Sequence, residues 1–133
     1  MMPQGMTSYR SRFDPAETMS RLEAAVMQRG ISVLARVDHA GAASKVGMEL
    51  RPTAVLIFGN PRAGTPLMQA VQTIGIDLPL RTLVWQDAEG ATWLAYNEPA
   101  WLAARHGAAE GHERALAAMA DGLAAIAKEA TGA

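Results

Sequence analysis

LRTLVWQDAEGATWLAY, residues 80–96, reads as two strands folded back on each other. Leu80 to Gln86 and Ala91 to Tyr96 are rich in aliphatic, aromatic and β-branched residues. The turn between them, Asp87-Ala88-Glu89-Gly90, ends in a glycine free to take the positive φ that a tight reversal needs. Strand periodicity places Leu83 and Trp85 on one face, with Trp93 and Ala95 sharing a face of the partner strand. A hairpin pairs antiparallel, so the sheet as a whole is expected to be largely antiparallel.

Upstream of the hairpin, Ala54-Val55-Leu56-Ile57-Phe58 is apolar on both faces and predicts an interior strand, entered through the extended backbone that Arg51-Pro52 imposes. Before it come a short helix over residues 42–48 and a strand over residues 31–37, with Ile31, Val33, Ala35 and Val37 inward. Further back, Asp14-Pro15-Ala16-Glu17 opens a helix: Asp14 caps it, Pro15 fits the first helical position, and Glu17 stands three residues after the cap. Met19, Leu22 and Val26 give that helix a buried stripe, and Gly30 ends it. Tyr9 to Phe13 supplies a first strand.

Downstream, Asn97-Glu98-Pro99 begins a helix with Asn97 as its cap, and His106-Gly107 closes it. A last helix over about residues 110–129 carries Leu116, Met119, Leu123 and Ile126 on one stripe. Helices and strands mix without a regular βαβ alternation. The fold expected is α+β, a two-layer α/β sandwich with helices packed on one face of the sheet. The domain is expected over residues 7–128, with flexible ends at 1–6 and 129–133.

Composition narrows the function classes. With 133 residues, half of them hydrophobic and 19% charged, the chain suits one domain with a real core. Cysteine is absent, which removes thiol catalysis and thiolate metal sites. Twelve Lys and Arg are spread among thirteen Asp and Glu for a net charge of −1, so no broad basic face exists to bind nucleic acid or an anionic bilayer. No leader and no apolar stretch of spanning length is read, so the chain is expected to be cytoplasmic, without a membrane partner.

One stretch approaches a motif with a chemical purpose. In FGNPRAGTP, residues 58–66, Gly59 and Gly64 have the separation of a phosphate-binding P-loop. Thr65 stands where the loop's Lys belongs and Pro66 where its hydroxyl belongs, so the charge and Mg²⁺ functions of that motif are both missing. The reading that remains is a strand-to-helix turn capped by Thr65, with Pro66 at the first helical position and Arg62 as the only cation for an anion at the helix start.

Three His, at positions 39, 106 and 112, show no metal-ligand spacing, and the eight Met are scattered as gap-fillers. No metal and no cofactor are expected. His106 has a specific duty at a helix C-terminus, where a donor meets unpaired carbonyls. Asp77, in a turn bounded by Gly75 and Pro79, suits either a local hydrogen-bond acceptor or a general base.

Val46-Gly47-Met48-Glu49-Leu50-Arg51-Pro52, Phe58-Gly59-Asn60-Pro61, Gly64-Thr65-Pro66-Leu67-Met68, Asp77-Leu78-Pro79-Leu80 and Tyr96-Asn97-Glu98-Pro99, followed by Leu102-Ala103-Ala104-Arg105-His106, resemble in order the domain-of-unknown-function family 302. The resemblance covers roughly residues 7–128. It implies a two-layer α/β sandwich, a stand-alone domain and homodimers, makes Thr65 and Pro66 family features, and carries over no catalytic residue.

Three functional readings follow. The first is a small-molecule or anion-binding module without catalysis, with Arg51, Asn60, Arg62, Gly64, Thr65, Asp77, Tyr96 and Asn97 as ligand contacts. The second is an enzyme using Asp77 or His39 as acid or base beside Tyr96. The third is a homodimeric structural or regulatory interaction protein, its interface drawn from Trp85, Trp93 or Trp101.

Overall fold

The computed structural model describes residues 2–133. Five strands, β1 (Met6–Arg10), β2 (Ser32–Asp38), β3 (Thr53–Gly59), β4 (Leu80–Gln86) and β5 (Thr92–Asn97), form one sheet in the order β1-β5-β4-β3-β2. Every neighbouring pair is antiparallel. The hairpin is built as its sequence requires: Gly90 has φ +86°, Leu83 pairs with Ala95, and Trp85 pairs with Trp93. Asp87 ties the turn, with Oδ1 accepting from the Glu89 and Ala91 amides and Oδ2 from the Trp93 indole N–H at 2.8 Å. The indole and the Ala91 amide, set against slight desolvation, hold the Asp87 carboxyl below its usual range.

The helices are α1 (Pro15–Gln28), α2 (His39–Lys45), α3 (Pro61–Ala70), α4 (Pro99–Arg105) and α5 (Glu113–Thr131), with a 3-10 turn at Gln72–Ile76. Alternation along the strands selects one covered face. Leu56 and Phe58 of β3, Val84 of β4, and Leu94 and Tyr96 of β5 point to the same side, where Met19, Leu22 and Val26 of α1 meet Leu123, Ile126 and Ala130 of α5. A second cluster joins Leu67, Ile74, Ala103, Ala108 and Leu116, seating α3, the 3-10 turn and α4 against the start of α5. The expected architecture of helices on one face of an antiparallel sheet is therefore the one formed.

Asp14 caps α1 as expected, its Oδ1 accepting from the Glu17 amide at 2.8 Å. Several local expectations need correction. The first strand is Met6–Arg10 and not Tyr9 to Phe13, because its register with β5 runs from Met6 opposite Asn97 to Arg10 opposite Trp93, after which Ser11 turns the chain toward α1. β2 has no inward row: all seven of its residues are exposed, since it is an edge strand and a bulge between Val33 and Ala35 breaks its alternation. α2 starts at His39 rather than Ala42, because Asp38 Oδ1 accepts from the Gly41 amide and caps it there. Asn97 is the last residue of β5 and no cap; Glu98 precedes α4 without a side-chain bond to it.

β3 is interior, paired on both sides, yet only Leu56 and Phe58 are fully buried along it. Val55 and Ile57 lie on the face without helices and are half-buried.

Candidate functional site

The stretch 59–66 folds differently from a loop that leads into a helix. Its helix, α3, begins at Pro61, and the cap is Asn60, whose Oδ1 accepts from the Arg62 amide at 3.0 Å. Thr65 is consequently not the cap, and Pro66 sits inside the helix rather than at its first position. The reason is local: Asn is a stronger cap than Thr, and Pro61 follows it with a φ already suited to the first helical turn.

This placement fixes where the amides of the stretch donate. The Asn60 side chain takes the Arg62 amide, and the Asn60 carbonyl takes those of Ala63 at 2.9 Å and Gly64 at 3.2 Å. Pro61 has no N–H to offer. The backbone donors that would cradle an oxyanion are thus engaged inside the helix.

A different polar cluster forms nearby. Asp77 ends the 3-10 turn, and Arg105 and His106 close α4. Packing of the second core brings these ends together, so that Asp77 Oδ2 accepts from Arg105 Nη1 at 2.7 Å and from His106 Nε2 at 2.5 Å. On its other side the imidazole meets Thr73, with Oγ1 3.0 Å from Nδ1. With Nε2–H donated to the carboxylate, Nδ1 accepts the threonine hydroxyl. The His106 side chain is only 9% exposed. Burial raises the Asp77 carboxyl, but the hydrogen bonds from His106 and Arg105 outweigh it and hold the group below its ordinary value. Hydroxyl, imidazole and carboxylate in a row can pass a proton along the chain.

The eight ligand candidates do not make one constellation. Asn60 caps α3, Arg62, Gly64 and Thr65 lie on it, and Asp77, Tyr96 and Asn97 lie toward the same end of the sheet. Arg51 is at the opposite end of β3, where its Nε donates to the Gln86 carbonyl at 3.3 Å; seven strand residues separate the two ends by roughly 23 Å. Tyr96 is in the main core, 4% exposed, with its hydroxyl 3.5 Å from that of Tyr9. Burial, then Tyr9, pushes its phenol well up from the usual value.

The acid–base trio is likewise separated. His39 starts α2 beside the edge strand β2, three strands or roughly 14 Å from the β5 that carries Tyr96. Asp77 has His106 as its imidazole, not His39. Sequence reading missed Thr73 and Arg105 as partners of Asp77. The adjacent Arg105-His106 at a helix end was the available signal, but the turn that brings Asp77 to it is tertiary. Trp85 and Trp93 stack with centroids 6.4 Å apart on the face without helices, while Trp101 lies over Gly5 at the other end of the chain's fold. Among the described residues no three His, Asp or Glu gather as ligands for one ion.

Fold and site together define a class: a two-layer α+β domain whose five-stranded antiparallel sheet is covered on one face. The chain belongs to the family described as Domain of unknown function DUF302, which matches residues 7–126. The crystal structure of the uncharacterized conserved protein DUF302 from Bacillus stearothermophilus has the same fold, with a TM-score of 0.85 and 21% identity over 96% of this chain and 99% of that one. Two curated relatives are much closer in sequence. Fluoride-specific ion channel FluC 1 of Brucella suis biovar 1 is 43% identical over 132 residues, 99% of this chain and 52% of that protein. Fluoride-specific ion channel FluC 2 of Brucella melitensis biotype 1 is also 43% identical over 132 residues, covering 49% of its own length. The chain spans about half the length of the curated relatives it matches.

These relatives overturn the expectation of a free-standing cytoplasmic domain with no membrane partner. With it goes the reading of the chain as a small uncharacterised module acting by itself away from a membrane. An ion channel acts in a membrane, whereas the expectation rested on reading no broad basic face, no leader and no spanning apolar stretch in this sequence. Among the described residues no helix is long and apolar enough to cross a membrane.

Proposed function

We propose that this domain works as a non-spanning part of a fluoride-channel system, beside a membrane-embedded portion that makes up the rest of the length of the Brucella relatives. The observation that carries this reading is 43% identity along 99% of the chain to proteins named as fluoride-specific channels, of which the chain accounts for about half. The helices support the same division of labour: α5, the longest at 19 residues, holds Arg114, Asp121, Lys128 and Glu129, so conduction belongs to the other half.

The test uses the Brucella suis relative truncated to remove the segment matching this chain. The two pieces are co-expressed, extracted from membranes in detergent and reconstituted into fluoride-loaded liposomes. Co-purification of this chain with the truncated protein, together with a changed rate of fluoride release at an ion-selective electrode, is the expected result. Absence of co-purification together with an unchanged release rate would remove the reading.

A further inference from the structure

We propose that residues 45–51 form a tip that docks on an anionic lipid surface, an inference that rests on the membrane setting proposed above. After α2 the chain runs Lys45-Val46-Gly47-Met48-Glu49-Leu50-Arg51 before entering β3. Val46 is 72% exposed, Met48 66% and Leu50 48%. Single exposed apolar side chains are ordinary on a protein surface, but three within five residues on one exposed segment are not. Val46 is the C-cap of α2, and Gly47, with φ +76°, turns the chain there so that Met48 and Leu50 follow on irregular backbone outside the helix.

Charge on this segment favours lipid. Lys45 and Arg51, both exposed, bracket the three apolar side chains, with Glu49 between them, leaving the segment net positive. Arg51 is oriented by its Nε–H bond to the Gln86 carbonyl, and among the described residues its terminal nitrogens have no partner. Cations at both flanks of an apolar tip suit a surface where phosphates lie above an acyl layer, since the apolar groups enter while the charges stay at headgroup depth. The cleft of about 550 Å³ that the tip forms with Ala40 and Ser44 of α2 is open and shallow, so the side chains are not folded back into a core. A second copy suits the tip less well. Three side chains fall far short of the roughly 800 Å² per partner that a stable dimer needs, and two-fold pairing would set Lys45 and Arg51 among their own like charges.

The experiment is co-sedimentation of the full chain with phosphatidylcholine vesicles, with and without phosphatidylglycerol, no channel protein being present. The chain is expected to sediment with the anionic vesicles, weakening as salt rises from about 0.1 M to about 0.5 M. Val46→Glu with Met48→Glu should cut binding roughly tenfold or more, since charged groups replace the inserting ones. Lys45→Glu should weaken binding to anionic vesicles and leave the neutral ones unchanged. Met27→Glu, at an equally exposed apolar residue on α1, should change nothing. Thermal midpoints and sedimentation velocity on each variant show that it is folded and report its mass. No sedimentation of the parent chain, equal binding by the double variant, or a dimer that the double variant converts to monomer would each overturn the proposal. Vesicle binding without any effect in the channel reconstitution would leave the tip standing and remove the channel reading; an effect on fluoride release in the absence of vesicle binding would do the reverse.

Discussion

Asp77 carries more of this structure than its place in a turn suggests. Its one Oδ2 meets both the guanidinium of Arg105 and the imidazole of His106, and so ties the 3-10 turn to the end of α4. Because its carboxyl titrates lower when folded than its ordinary value of 3.8, the contribution is complete above that value and disappears as pH falls through the lower folded one. Asp77→Asn should therefore cost about 1–3 kcal/mol at neutral pH and flatten the acid limb of the stability curve below about pH 4. Urea unfolding at stepped pH measures both effects, and an acid limb as steep as the parent's would contradict them. The Asp77 turn and the Arg105-His106 helix end were each legible as local chemistry, but 28 and 29 residues separate the partners, and nothing in spacing announces such a pair.

At the scale of elements, α3 shows how a one-residue cap decides what a motif means. A P-loop keeps its amides outward for phosphate; here Asn60, the residue directly after β3, turns them inward. Asn60→Ala is expected to lower stability by about 1 kcal/mol, whereas Thr65→Ala, at an exposed position in the helix interior, should stay within about 0.5 kcal/mol. Thermal unfolding of the two variants side by side checks this, and the opposite ranking would return the cap to Thr65. The Asp14 cap was readable because one candidate stood before one proline. At 60–66 two cap residues each precede a proline, so the same rule admitted two starts, and the turn out of β3 selected the earlier.

Across the whole molecule the sheet has one covered and one open face. α1 and α5 meet over the covered face, and Arg29 at the end of α1 holds both carboxylate oxygens of Glu129 at 2.9 and 3.0 Å. Leu22, fully buried between helix and sheet, and Val55, half-buried on the open face, test that asymmetry. Leu22→Ala should cost about 2–5 kcal/mol, against about 1 kcal/mol for Val55→Ala. Equal losses in chemical denaturation would mean that the open face is packed as tightly as the covered one. The likeness to the Bacillus structure spans 99% of that chain, and the likeness to the Brucella proteins about half of theirs.

Local patterns in the sequence were sufficient for the hairpin, the antiparallel sheet, the Asp14 cap and the buried stripes of α1 and α5. Each depends on residues a few positions apart, where backbone geometry and side-chain period act directly. Tertiary structure alone decided that β2 lies at an edge, that Val55 and Ile57 face away from the helices, that Arg51 is far from Asn60, and that Asp77 meets His106. Strand order and helix packing arise from burying surface between segments distant in the chain. Periodicity can say that a residue has an apolar neighbour, but not which element supplies it.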